Sequence, residues 1–140
     1  MAKNTLKQSS RRQFMGNVGK ATLAASAMPL GMTDKIEKKG MFIHHVYFWL
    51  KKAGSKEDTA KLIEGLRKLS KVKTIQQFSI GKPAMTPRDV VDNSYAISWL
   101  CFFKNGKDQA SYQVDPIHLK FVEDYSHLWE RVIVYDTIDA

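Results

Sequence analysis

The pattern of apolar and polar positions predicts four strands and two main helices. Residues 41–51 are rich in aromatic and β-branched side chains, which is typical of a strand. Apolar residues then recur at helical spacing over 62–69, after Ser55, a favoured N-cap residue. The remaining elements are strands over 72–81, 95–103 and 131–138, a short helix through Tyr112 and a helix over 116–127. This order, β-α-β-β-α-β, predicts an α+β fold of the ferredoxin-like type.

The first predicted strand is apolar on both of its faces. One face carries Phe42, His44, Val46, Phe48 and Leu50, and the other carries Ile43, His45, Tyr47 and Trp49. Since both helices of such a fold pack on one side of the sheet, the other side should be polar if it met water. Leaving an apolar side wet would forfeit about 25 cal/mol for each Å² of apolar area. We therefore expect two copies to pack sheet to sheet as a homodimeric α/β barrel.

Length and charge restrict the classes of function. The 140 residues allow one domain, and the net charge of +8 at first suggests an acidic partner. Residues 1–27, however, hold five of the 22 basic residues and none of the 14 acidic ones. The rest of the chain has 17 bases against 14 acids, a net charge of +3. It lacks the clustered basic face that binds phosphate backbones, so no nucleic-acid partner is expected.

The first 32 residues resemble a twin-arginine export signal. Ser10 precedes the pair Arg11–Arg12, Phe14 lies two residues after it, and a weakly apolar stretch with a small-residue cleavage candidate at 25–27 follows. The alternative is a disordered basic tail. An export signal would send the protein to the periplasm or outside the cell, with a linker over 33–40 and a domain over 41–140. The apolar stretch is too short and too polar for a stable membrane span after export.

The segment 112–118 holds the clearest chemical candidates. Asp115 is a favoured N-cap residue and Pro116 suits the first helical position, so His118 should be the third residue of a helix. The partial positive charge at that helix end disfavours protonation of the ring, and a neutral imidazole can accept a proton. The hydroxyl of Tyr112 could donate a hydrogen bond to the same ligand. Both side chains could equally be structural, His118 as a cap and Tyr112 as a half-buried aromatic residue.

The chain resembles the stress-responsive A/B barrel family, called Dabb, over about residues 42–138. The residues that carry the resemblance are His45 on the first strand, Tyr112, Pro116 and His118 before the last helix, and Phe121, the pair Trp129–Glu130 and the strand Val132–Asp136. The resemblance implies the same homodimer that the apolar residues on both faces of the first strand predict. Within this family, plant polyketide cyclases look similar at the positions of His118 and Tyr112, and their His and Tyr promote an intramolecular aldol closure.

The resemblance also implies a ligand pocket between the sheet and the helices of each subunit. Its lining residues beside Tyr112 and His118 would be His45, Tyr47, Trp49, Phe121, Trp129 and Val132. Such a lining suits a small hydrophobic or aromatic ligand.

Two functions stay open. One is an exported homodimer that binds a small hydrophobic or aromatic molecule, with a role in stress response. The other is a polyketide-cyclase-like lyase that uses His118 as the base and Tyr112 as the hydrogen-bond donor. The binding function is preferred, because Tyr47 and Trp49 would fill part of the cavity that a long substrate needs.

No cofactor and no metal are expected. His44 and His45 diverge on a strand, and His118 and His127 are nine residues apart on different helix faces. Haem or flavin-independent oxygenation, known on related dimeric barrels, is a further alternative, but the sequence has no separate haem-ligand motif. Cys101 is the only cysteine, which excludes an intramolecular disulfide, and its apolar neighbours predict a buried thiol.

Overall fold

The computed structural model describes residues 40–140, and every element below belongs to that range. The expected export signal over 1–32 and nearly all of the expected linker over 33–40 lie outside the described residues. Within residues 40–140, no helix has the length and apolar character needed to cross a membrane.

Four strands and three helices form the described fold. The strands are β1 (Phe42–Leu50), β2 (Ile75–Gly81), β3 (Ile97–Phe103) and β4 (Trp129–Thr137), and the helices are α1 (Lys56–Leu69), α2 (Gly106–Gln113) and α3 (Pro116–Tyr125). A single 3₁₀ turn, Ser126–Leu128, joins α3 to β4. The predicted order of elements is confirmed, and the last helix is shorter than predicted because its final residues tighten into this turn.

The sheet has the strand order β2-β3-β1-β4, with every neighbouring pair antiparallel. This arrangement confirms the predicted ferredoxin-like α+β class. β1 is central, and its register places His44 between Cys101 of β3 and Asp136 of β4. Residues that are paired directly across antiparallel strands share one face of the sheet, so the register also assigns each side chain to a face.

Local signals explain where the two long helices begin. The hydroxyl of Ser55 accepts a hydrogen bond from the amide of Asp58 at 3.1 Å, as its predicted role of N-cap requires. The carboxylate of Asp115 accepts one from the amide of Ile117 at 2.8 Å, and Pro116 follows at the first helical position. Both predicted caps are therefore confirmed.

The hydrophobic core lies between one face of the sheet and the helices. That face of β1 contributes Val46, Phe48 and Leu50, which contact buried residues of α1 and β3. The largest side chains with almost no exposed surface are Trp99, Tyr112, Phe103, Leu62, Leu66 and Leu69. We call this the covered face.

Helices α1 and α3 approach each other closely at Gly65. A Cβ atom built on Gly65 would lie 2.8 Å from ring atoms of Tyr125, a separation that real Cβ atoms essentially never show. The contact therefore depends on the missing side chain of a glycine. It sets the distance between the two helices above the sheet.

The opposite face of the sheet, which we call the open face, has no helix over it among residues 40–140. It carries Ile43, His45, Tyr47 and Trp49 of β1, with Leu100 and Phe102 of β3 and Ile133 and Tyr135 of β4 paired to them. All of these side chains remain partly or largely exposed. The open face is mainly apolar, as the alternation along β1 predicted.

Candidate functional site

The start of α3 brings His118 against Tyr112. His118 is the third residue of the helix, as the positions of Asp115 and Pro116 predicted. The centroids of the two rings are 4.7 Å apart. The six-residue spacing of this segment therefore joins the two predicted catalytic side chains in one place.

Tyr112 lies at the centre of this cluster and is 1% exposed. Its hydroxyl accepts a hydrogen bond from indole Nε1 of Trp99 at 3.2 Å, which contradicts the alternative of a half-buried ring whose hydroxyl meets solvent. Burial is the main cause that raises the pKa of Tyr112; Cys101 adds to the rise and the bond from Trp99 opposes it. The phenol therefore keeps its proton and can donate it in a hydrogen bond.

The Nδ1 atom of His118 is buried and has no hydrogen-bond partner among residues 40–140. Burial is the main cause that lowers the pKa of His118, and His44 lowers it further, whereas the backbone of Gln113 and the charge of Asp115 raise it in part. The ring is thus a neutral base near pH 7, in the predicted direction. The predicted cause was the charge of the helix end, but the main cause is removal from water.

His44 adds a second imidazole that the sequence analysis did not single out. The register places it directly opposite Asp136, and its Nδ1 atom lies 2.5 Å from Oδ1 of that residue. His44 is 4% exposed, and its ring centroid lies 5.7 Å from that of Tyr112. A carboxylate on Nδ1 holds the imidazole in one orientation and leaves Nε2 to accept a proton.

Three of the predicted ligand-binding residues lie on the covered face with Tyr112 and His118. The rings of Phe121 and Trp129 are stacked with centroids 5.7 Å apart. Both rings also contact Phe48, at 6.4 and 5.0 Å between centroids. Val132 pairs with Phe48 across the sheet, near its β4 edge. Phe121, Trp129 and Phe48 form an apolar wall along α3, toward the end of the helix that leads into β4.

The other three predicted ligand-binding residues, His45, Tyr47 and Trp49, lie on the open face. The expectation that they line one pocket with Tyr112 and His118 is wrong. Successive side chains of a strand point to opposite faces, and on β1 the even-numbered residues are the ones that the helices bury. Nδ1 of His45 instead lies 3.0 Å from the hydroxyl of Tyr47, on the same face as that residue.

A cavity of about 300 Å³ also lies on the open face. It is lined by Tyr47, Trp49, Asp92, Tyr95, Ile133 and Tyr135. Neither Tyr112 nor His118 lines it, so this cavity and the imidazole cluster are separate candidate sites.

Metal and thiol chemistry find little support in the described part of the chain. No group of three or more His, Cys, Asp or Glu side chains within residues 40–140 is placed to hold a metal ion. Cys101 is buried in the core, and burial raises the pKa of its thiol against an opposing contribution from Trp99. A thiol in this state is not a nucleophile near neutral pH.

Comparison with known protein families gives one match. A family model described as the stress responsive A/B barrel domain matches residues 43–139, which is more than half of the chain. A search of curated proteins finds no match of comparable significance.

Several solved structures share the fold at low sequence identity. A Dabb family protein with a ferredoxin-like fold from Mesorhizobium loti is 21% identical with a TM-score of 0.61, over 73% of this chain and 99% of that one. A dimeric protein of unknown function from Bacteroides fragilis is 20% identical with a TM-score of 0.56, over 72% and 98%. A hydroxynitrile lyase from Passiflora edulis is 17% identical with a TM-score of 0.60, over 71% and 94%. At these identities the similarity shows the fold alone.

Proposed function

We propose that the protein, which belongs to the stress-responsive A/B barrel (Dabb) family, is an exported homodimer that binds a small hydrophobic or aromatic molecule beside Tyr112 and His118. The proposal is carried by the buried Nδ1 atom of His118, which has no partner among residues 40–140. Buried polar atoms are almost always hydrogen-bonded to protein, water or ligand. A ligand with one polar atom and an apolar body would satisfy this nitrogen and contact the neighbouring rings. The family description supports a role in stress tolerance.

The homodimer is supported by the open face. Its apolar side chains would be shielded if a second copy packed on it sheet to sheet. The similar protein from Bacteroides fragilis is described as dimeric.

Export is supported by the first 32 residues, which resemble a twin-arginine signal, and it can be tested separately from ligand binding. Replacing both Arg11 and Arg12 with Lys keeps the positive charge but removes the arginine pair that the twin-arginine route reads. We expect the double variant to stay in the cytoplasm of its host, whereas the control Lys3→Arg with Lys7→Arg is exported as wild type. Cell fractionation measures the difference, and normal export of the Arg11, Arg12 variant would contradict the proposal.

The ligand is expected to be small. The cavity of about 300 Å³ lies elsewhere, because neither Tyr112 nor His118 is among the residues that line it. His118 itself is only partly buried, in contrast to Tyr112. A ligand would therefore approach from the exposed side of the ring and contact the buried Nδ1 atom only after the side chains that cover this atom move, which limits the ligand to a small molecule.

Acetophenone, a small aromatic ketone, is a suitable probe of binding. Its phenyl ring fits an aromatic wall and its oxygen can accept a hydrogen bond. We expect a titration followed by NMR to shift the imidazole signals of His118 and the backbone amide signals of its neighbours in wild type, and we expect the amide shifts to lose saturation in His118→Gln. The matched control is His127→Gln, an exposed histidine just beyond α3, which should bind as wild type. Shifts confined to His127, or no saturable shifts, would contradict binding at His118.

A lyase is the second candidate function, favoured by the pairing of His44 with Asp136 beside Tyr112. The neutral His118 would remove a proton from the carbon next to a carbonyl, and the electron pair would move onto the carbonyl oxygen, which accepts a hydrogen bond from Tyr112. In an aldol closure the resulting enolate carbon would attack a second carbonyl of the same molecule. The imidazolium would then return the proton to the new alkoxide. One similar structure is a lyase, although of hydroxynitriles.

The proton-transfer step can be tested without the natural substrate. A base at His118 should exchange the methyl protons of acetophenone for deuterium in heavy water, which NMR measures directly. We expect His118→Gln and Tyr112→Phe each to lower the protein-dependent rate by about 100-fold or more. The controls are His127→Gln and Tyr125→Phe, a tyrosine whose hydroxyl accepts a bond from Lys68.

The two candidate functions give different outcomes. Saturable binding without exchange would contradict the lyase and leave the binding function. Exchange that persists in both His118→Gln and Tyr112→Phe would exclude these residues from the roles given to them.

A further inference from the structure

His45 lies in the middle of the open face. It pairs with Leu100 of β3 on one side and with Tyr135 of β4 on the other. Because β1 has a strand on each side, a second copy that packed sheet to sheet would cover this ring. In the single chain the ring is only half-buried. Formation of the homodimer would therefore remove His45 from the water that it still contacts.

The hydroxyl of Tyr47 favours the neutral form of His45. It lies 3.0 Å from Nδ1 of His45, and the two ring centroids are 4.2 Å apart. Burial is the main cause that raises the pKa of Tyr47, with contributions from Tyr95 and Tyr135, so the phenol keeps its proton. A neutral imidazole can accept that proton at Nδ1. An imidazolium has a proton on both nitrogens, so the hydroxyl would have to accept the bond and turn its own proton toward other atoms.

The open face has few groups that could balance a charged imidazole. At the paired positions of the four strands within residues 40–140 it carries no Asp or Glu, and its only other basic residue is Arg131. The groups that face His45 from the adjacent strands are the aliphatic Leu100 and the phenol of Tyr135. Asp92, in the loop before β3, borders the cavity beside Tyr47, and Arg131 is among the causes that lower the pKa of its carboxyl.

The surroundings of His45 already disfavour protonation in the single chain. Burial is the main cause that lowers its pKa below the ordinary 6.5, and His44 lowers the pKa further. His44 lies on the covered face with Asp136 on its Nδ1 atom, so this carboxylate is not on the open face. A second copy would withdraw more water from the His45 ring and lower its pKa again. The dimer would therefore bind fewer protons than two separate chains do.

We propose that His45 makes the homodimer sensitive to pH, so that the two copies pack together while both imidazoles are neutral and separate when acid protonates them. This switch requires the homodimer proposed above. Each copy in a two-fold dimer contributes one His45, so two protons are taken up on dissociation. The stability of the dimer should be constant above the pKa of His45 in the separate chain and should decrease as the pH falls below it.

Sedimentation of the full-length protein at several pH values and constant ionic strength measures the dimer dissociation constant. It should be constant above about pH 7 and rise by about tenfold or more between pH 7 and pH 5. A dissociation constant that is unchanged down to pH 5 would overturn the switch. A protein that is monomeric at micromolar concentration even at pH 8 would contradict the homodimer itself, and the switch with it.

The variant His45→Gln keeps a polar side chain but has no group that titrates in this range. Its dissociation constant should be the same at pH 7 and at pH 5. The matched control is His118→Gln, which removes an imidazole from the covered face and should keep the wild-type rise. The wild-type rise in His45→Gln, or its loss in His118→Gln, would overturn the assignment to His45.

The NMR signals of the wild-type imidazoles give an independent measurement. The midpoint of His45 protonation should move to lower pH as the protein concentration increases, because the dimer opposes protonation. The midpoint of His118 should not depend on the protein concentration. A His45 midpoint that is the same at all concentrations would overturn the switch, whether or not His45→Gln folds.

Discussion

Phe102 and Phe103 are neighbours on β3 with identical side chains, yet they meet different surroundings. Phe103 is 0% exposed and its ring packs edge-on or tilted against Phe42, His44 and Tyr112. Phe102 pairs with Ile43 on the open face and stays partly exposed. The pattern of apolar residues along a strand therefore predicts which side chains are buried. It does not predict whether the helices of the same chain or a second copy of the chain bury them.

The largest effect that separates the two faces is expected from Phe103→Ala. Deleting a fully buried ring leaves a cavity, so the free energy of unfolding should fall by about 3–5 kcal/mol. Phe102→Ala should cost only about 1 kcal/mol at protein concentrations where the chain is monomeric, and more where a second copy covers the open face; urea unfolding at a series of protein concentrations measures both losses. Equal losses would mean that a second copy buries the open face as fully as the helices bury the covered face.

A charge on the open face should have an intermediate effect, confined to assembly. Leu100→Asp places a carboxylate among apolar side chains opposite His45, where a second copy would desolvate it. We expect dimer dissociation to become at least about 30-fold more favourable. Size-exclusion chromatography with light scattering measures the shift.

The control for this prediction is Val90→Asp, in the exposed loop between β2 and β3. It should remain dimeric. A wild-type protein that is monomeric at micromolar concentration, or a Leu100→Asp protein that is as dimeric as wild type, would contradict packing through the open face.

The smallest effect on the free energy of unfolding is expected from lowering the pH. Burial is the main cause that lowers the pKa of both His118, on the covered face, and His45, on the open face, below the ordinary 6.5. The unfolded chain therefore binds protons that the folded chain does not as the pH falls through 6.5. Stability should be constant above that range and decrease below it.

Urea unfolding at a series of pH values measures this slope for each face. His118→Gln and His45→Gln should each flatten it. If only His118→Gln flattened the dependence of stability on pH, the lowered pKa in the folded state would be confined to the imidazole of the covered face.

The elements of the fold were predictable because their signals are local. Ser55, Asp115 and Pro116 mark helix starts by chemistry that acts within a few residues. Tyr112 and His118 were found together for the same reason, since one short segment carries both.

The rest of the site depends on contacts between distant segments. The pairing of His44 with Asp136 follows from the register of β1 with β4, which no local pattern specifies. The faces of β1 could not be assigned because both are apolar, and the choice between them is made by where α1 and α3 pack. His45, Tyr47 and Trp49 were therefore grouped with the wrong cluster.

The single hydrogen side chain of Gly65 has a consequence for chemistry on the other helix. α3 rests on α1 through the ring of Tyr125, and the same helix carries His118 about two turns earlier, in its first turn. A methyl group at Gly65 would lift that helix away from its neighbour. The position of the His118 imidazole relative to the Tyr112 phenol thus depends on Gly65, a residue with no reactive group.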